Sequence, residues 1–160
     1  HRSISLFAIG ALGLDEMWWL VSPGNPLKPA IDMAPLPARL ASARKVTRRT
    51  PIRVSAIERQ MGTRYTVDTL RKLLLRYPHR RFIWIMGADN VANFTRWRRW
   101  RDIARMMPIA VIARPGYDDD AVAGPAMAWL RRFVRRPDQR SQWTVWSTPA
   151  LVFLRFPCRG

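Results

Sequence analysis

Residues 83–100 read IWIMGADNVANFTRWRRW, an apolar run that collapses into Gly87, Ala88 and Asp89 and then into Trp97 and Trp100 set among Arg96, Arg98 and Arg99, with Arg101 directly after. A glycine lets the backbone approach a ligand with no side chain in the way, and a carboxylate accepts hydrogen bonds from sugar hydroxyls. Flat aromatic rings beside guanidinium groups suit stacking against bases. Two chemistries fit this stretch: a clamp on a polynucleotide, or one wall of a pocket for a small nucleotide. Asp89 also has a plainer use, as the cap of the helix that follows it.

Other groups have the same double character. Arg114 can neutralise a phosphate through its forked donors or serve as ordinary surface charge. Asn25 and Lys28 lie in a Pro/Gly-rich loop and are open to the same two uses. His1 stands at the start of an apolar helical stretch, where a side chain can meet an anion beside free backbone amides, or simply fray. Thr66 is a candidate N-cap for a helix beginning at Val67. Trp100, three residues after Trp97, reads as packing for its helix, and Asp118–Asp120 as a solvated acidic loop rather than a metal site.

The elements that must position these residues can be read from apolar spacing. Residues 3–12 form a mostly buried helix closed by Gly13, and EMWWLVS is a buried strand ending in the turn SPGN. A helix is expected from Pro35 to about Thr47, then a strand around IRVSAIE. Val67, Leu70, Leu73 and Leu74 share one face of a helix stopped by Pro78. RFIWIMG is the third strand, followed by a short helix near Asn90 to Phe94, another across Trp100 to Met107, and the strand PIAVIAR. A helix from about Ala126 to Arg136 and two short strands near QWTVWS and LVFLRF complete the order. Such alternation predicts an α/β fold, a parallel sheet with helices on both faces. In such sheets ligands bind beyond the carboxyl ends of the strands, where SPGNPLK, GADN and RPGY all fall.

Composition narrows the classes. The chain of 160 residues is one domain in size, and its apolar residues, 48% of the total, are spread along its length, which argues against disorder. Its apolar runs are strand-sized, well short of the roughly 20 residues of a membrane helix, so no membrane partner is expected. The lone Cys158 cannot form an internal disulfide, and a reducing, cytoplasmic setting follows. The net charge of +17 is what a nucleic-acid-binding domain would show. Yet all but three of the 28 basic residues are arginine, scattered over every segment, and a solvated basic surface is favoured over a polynucleotide groove. The chain opens on His1 and is expected to begin inside a gene product.

In order and spacing, SPGNPLK, GTRYTVDTL, GADN followed by RWRRWRDI, and VIARPGY resemble the bacterial nicotinate-nucleotide adenylyltransferases over nearly the whole chain. The resemblance implies a Rossmann-like nucleotidyltransferase fold and an enzyme that transfers AMP from ATP to nicotinate mononucleotide, giving deamido-NAD and pyrophosphate, with Mg2+ carried by ATP. It implies that His1 is the last histidine of the family's N-terminal phosphate loop and the catalytic group, and that His1, Gly87, Asp89 and Arg114 bind ATP. Gly87 and Asp89 would face the adenosine ribose. Asn25, Lys28, Tyr65, Thr66 and Trp97 would bind nicotinate mononucleotide, Lys28 at its phosphate, Tyr65 and Thr66 at its carboxylate, and Trp97 stacked on its pyridine ring. No residue is implied as a metal ligand. Residues 1–160 would be a single domain lacking the family's first strand with its phosphate loop and its C-terminal Ser/Thr-x-x-Arg helix, a fragment for which both an active and an inactive state stay open. Two other readings are weighed against this one. A different adenylyl- or cytidylyltransferase of the superfamily would not need the RYT turn and the tryptophan, and an RNA-binding domain would not need glycines and prolines at strand ends.

Overall fold

The computed structural model describes residues 2–20, 51–55, 64–113 and 124–157. Helix α1 (Arg2–Leu12) ends at Gly13, whose φ of +66° is the left-handed turn that glycine adopts without strain. Strands β1 (Met17–Leu20) and β2 (Ile52–Ser55) pair in parallel. Helix α2 (Thr66–Arg76) leads to β3 (Trp84–Gly87), α3 (Ala88–Asn93), a 3₁₀ turn (Phe94–Arg96) and α4 (Trp100–Met106). Strand β4 (Ile109–Ala113), helix α5 (Pro125–Leu130) and strand β5 (Leu151–Arg155) complete a parallel three-stranded sheet in the order β3-β4-β5.

The period of two along each strand builds the layers. Trp84 and Met86 of β3, Ile109 and Val111 of β4, and Leu151 and Phe153 of β5 meet Val67, Leu70, Val91, Phe94, Ile103 and Leu130 of the covering helices. The alternate residues Ile83, Ile85, Ala110, Ile112, Val152 and Leu154 meet Ala8 and Leu12 of α1 and Trp143. β1 obeys the same division: Trp18 and Leu20 join the first layer and Met17 the second. The two sheets are therefore parts of one helix-sheet-helix sandwich, as the alternation predicts.

Several sequence expectations are corrected. QWTVWS is not a strand but part of a 3₁₀ helix, Pro137–Val145. Its period-two apolar residues do not share a buried face, for Trp143 is buried while Val145 is 79% exposed. Trp143 Nε1 donates to the Leu12 carbonyl at 2.9 Å, and this contact with α1 decides the local backbone. The helix expected to reach Arg136 stops at Leu130 and continues only as a 3₁₀ turn, Arg131–Phe133. Val134 then bridges Leu151, and the Arg135 amide donates to the Leu151 carbonyl at 2.7 Å, so sheet pairing ends the helix ahead of Pro137. The helix expected from Pro35 lies outside the described residues.

Candidate active site

On the page of the sheet, the chain steps outward from β1 to β2 on one side and from β3 through β4 to β5 on the other. β1 and β3 are edge strands that line the same cleft, and parallel α/β sheets bind ligands where their strand order reverses. Met17 to Leu20 and Ile83 to Gly87 line one cleft of about 1710 Å3, with Ser5 of α1 on one side and Leu70 and Leu73 of α2 on the other. Met17 N–H bonds to Pro51 of the β2 side and Trp84 N–H to Pro108 of the β4 side. Successive backbone groups alternate between strand edges, so those of Trp18, Leu20, Ile85 and Gly87 turn toward this slot.

The slot is clasped at its base. Glu16, just before β1, accepts from Trp18 Nε1 at 3.0 Å and from Arg80 at 3.2 Å, and pairs with Arg53 of β2 at 3.1 Å. The Trp18 hydrogen bond, helped by the two arginines, holds its carboxyl below the usual glutamate range against the opposing effect of burial. Trp18 also packs edge-on to Tyr77 and Phe82, at 5.2 and 5.7 Å between ring centres, tying β1 to the connection between α2 and β3.

At the mouth of the slot stand Gly87, Ala88, Asp89 and Asn90. Gly87 occupies the N-cap position of α3, and Asp89 lies inside the first turn, so Asp89 is not the cap the sequence allowed. A Cβ on Gly87 would come within 2.6 Å of Asp89 Oδ1: the carboxylate folds back over the glycine and needs the space that glycine leaves. Asp89 is exposed and close to the N-terminus of α3.

Beside it, the turn from 94 to 100 is built around two aromatic anchors. Phe94 is fully buried, and Trp97 meets it edge-to-face at 5.2 Å and meets Trp84 of β3 the same way at 5.9 Å. Trp97 itself is half-buried. Arg99 adopts the left-handed conformation, φ 52°, an uncommon state for a side-chain-bearing residue, and the chain reverses there into α4. Trp100 leaves in another direction, packing on Phe94 and Trp129 at 5.6 and 5.4 Å, which is the packing role its spacing suggests. Arg98 lies over the ring of Tyr65 at 4.9 Å, bringing the start of α2 against this turn. Thr66 is the first residue of α2 and Tyr65 the residue before it, with no side-chain cap, so Thr66 is not the N-cap.

The cytidylyltransferase-like family matches residues 1–152. A protein of Erythrobacter litoralis described as "Probable nicotinate-nucleotide adenylyltransferase" is 65% identical over 156 residues, which cover 98% of this chain and 71% of that protein. Proteins of the same description from Parvibaculum lavamentivorans and Cereibacter sphaeroides are each 47% identical over 157 residues, 98% of this chain and 78% and 83% of theirs. The chain belongs to the nicotinate-nucleotide adenylyltransferase family. Its parallel sheet flanked by helices is the Rossmann-like nucleotidyltransferase fold, and adenylyl transfer in NAD biosynthesis is the general activity of the family.

Gly87 and Asp89 stand at the slot mouth, whereas Tyr65, Thr66 and Trp97 are not among the residues that line the slot: Tyr65 and Trp97 pack against the helix-facing layer, with Arg98 over Tyr65, and Thr66 begins α2. His1, Asn25, Lys28 and Arg114 lie outside the described residues. Among the described residues no group of three or more acidic, histidine or cysteine side chains could hold a metal ion, and Asp89 alone does not make a cage. Among the described residues no helix is long and apolar enough to cross a membrane. The rings that support Trp97, Trp84 and Phe94, were not singled out from the sequence. The signal for Trp84 was present: it alternates with Met86 on the helix-facing side of the strand that ends at Gly87.

Proposed function

We propose that the protein transfers AMP from ATP to nicotinate mononucleotide, forming deamido-NAD and pyrophosphate in the cytoplasm. The observation that carries the reading is a pair of features held by β3: at its last residue a glycine with a carboxylate folded over it, and against its first residue, Trp84, the half-buried ring of Trp97. In the reaction a phosphate oxygen of the mononucleotide attacks the α-phosphorus of ATP. A new P–O bond forms, the bond to the α,β-bridging oxygen breaks, and that oxygen departs with pyrophosphate. No covalent enzyme intermediate is needed, so catalysis rests on positioning and on neutralising charge. Asp89 accepts from the ribose hydroxyls of ATP where Gly87 leaves room for the sugar. Trp97 offers its face to the pyridinium ring, a cation-π contact of roughly 0.5 to 2 kcal/mol. Tyr65 and Thr66, with the amides that begin α2, receive the nicotinate carboxylate. His1 donates to the ATP phosphates, Arg114 neutralises them, and Asn25 and Lys28 hold the phosphate of the mononucleotide.

The same reading includes a further strand in the slot. β1 and β3 contribute to the same two layers on either side of the cleft, and an extended segment lying between them would join both sheets into one. Its carboxyl end would deliver a phosphate-binding loop beside Gly87. A Ser/Thr-x-x-Arg helix following β5 would complete the domain.

Trp97→Ala tests the assignment of the two subsites. It is expected to weaken nicotinate mononucleotide by about tenfold while leaving ATP within about twofold, as removal of one stacking partner requires. Equal losses for both nucleotides would contradict stacking at Trp97.

A further inference from the structure

The aromatic ring proposed to carry the pyridine nucleotide is itself held by aromatic edges. Trp97 follows a 3₁₀ turn and has extended backbone angles, φ −75° and ψ 137°, so local helical hydrogen bonding fixes its ring only through one bond from its amide to Phe94 at 3.0 Å. Its ring plane is set by two contacts instead: 81° to Trp84 at 5.9 Å and 77° to Phe94 at 5.2 Å. Near-perpendicular pairs place the positive edge of one ring against the negative face of another. Phe94 belongs to the same turn, whereas Trp84 belongs to β3, the strand that ends at Gly87.

Trp84 carries a second peculiarity. Its Nε1 is buried and has no hydrogen-bond partner among the described residues. An orphaned indole donor is unfavourable in a buried site. What this side chain contributes is thus its ring, which packs in the helix-facing layer and against the ring of Trp97.

We propose that Trp84 is a positioning residue for the pyridine-nucleotide subsite: acting through Trp97, it fixes the plane on which the substrate ring stacks, at a set distance along β3 from the glycine and aspartate of the ATP subsite. The inference rests on the assignment of Trp97 as the stacking ring. β3 then serves as the ruler between the two substrates. Trp84 and Gly87 are its first and last residues, and both are fixed by register against β4, Trp84 opposite Ile109 and Gly87 opposite Ile112.

The test uses the intact protein and three variants: Trp84→Met, which keeps an unbranched apolar side chain but removes the aromatic edge, Trp84→Phe, which keeps the edge without the N–H, and Trp97→Ala. Dissociation constants for nicotinate mononucleotide and for ATP are measured separately by calorimetry. The coupled indole signal of the Trp84 and Trp97 pair is followed in the circular dichroism difference spectrum. Trp84→Met is expected to weaken nicotinate mononucleotide by about fivefold, with ATP within about twofold, and to abolish the coupled signal. Trp84→Phe is expected to restore mononucleotide affinity to near that of the parent, which a role for the N–H would not allow. Unchanged mononucleotide affinity in Trp84→Met, equal loss for both nucleotides, or no recovery in Trp84→Phe would overturn the proposal while Trp97→Ala remains selective. A non-selective Trp97→Ala would overturn the stacking assignment itself. Should Trp84→Met fail to fold, Trp84→Leu takes its place and is read in the same way: selective loss of mononucleotide affinity supports the ring contact, and unchanged affinity overturns it.

Discussion

A methyl group on Gly87 would press on Asp89 Oδ1 at 2.6 Å, and Asp89 has open solvent to swing into. Gly87→Ala is therefore expected to fold normally and to lose the carboxylate from its place over the strand end. If that carboxylate receives ribose hydroxyls, the cost approaches a charge-assisted hydrogen bond, about 1.5 to 3 kcal/mol, or at least a tenfold rise in the KM for ATP. Nicotinate mononucleotide should be little affected. A Gly87→Ala variant with unchanged ATP binding would separate Asp89 from the nucleotide. At this scale the sequence was informative about types and less so about contacts. GADN is legible as a glycine and a carboxylate at a strand end, but whether Asp89 caps the helix or lies free depends on which residue takes the cap, and backbone geometry gives that place to Gly87. Trp97 stands out in RWRRW, whereas its supports do not: Phe94 and Trp84 look like ordinary core residues until the turn brings their rings against it.

Among the elements, Glu16 joins three pieces of chain, through Trp18 to β1, Arg53 to β2 and Arg80 to the connection before β3. Its carboxyl titrates below the ordinary value of 4.5 in the folded protein, so the stabilisation is fully present above that value and is lost as pH falls through the lowered one. The site is partly open to water, and Glu16→Gln is expected to cost only about 1 kcal/mol near neutral pH. The gap between parent and variant should close in acid, as denaturant titrations at several pH values would show. A gap that is constant across that range would deny the charge its part. Strands and the long helix α2 were legible because apolar period and burial agree, with Val67, Leu70 and Leu73 all buried. Residues 137–145 were not, because a hydrogen bond from Trp143 to Leu12, 131 positions away, outweighs local pattern. Nor could the left-handed turn at Arg99 be read, since arginine carries no preference for it.

For the whole molecule, alternation of elements predicts one parallel sheet, and the described strands form two pieces that share their layers across the slot. If a further strand fills that slot in the intact protein, the amides of Trp18, Leu20, Ile85 and Gly87 will be protected from hydrogen exchange as strongly as those turned toward β2 and β4. Fast exchange confined to these four would count against the added strand. The charge of +17 is a property of the whole surface, and several of its arginines are engaged at home: Arg53 and Arg80 with Glu16, Arg98 over Tyr65, Arg101 and Arg105 over Trp129. This favours an arginine-coated nucleotidyltransferase over a polynucleotide clamp. The most direct measurement is the choice of acceptor by the intact protein supplied with ATP and magnesium. Pyrophosphate and deamido-NAD are expected with nicotinate mononucleotide, and pyrophosphate release with pantetheine phosphate alone would contradict the proposed function.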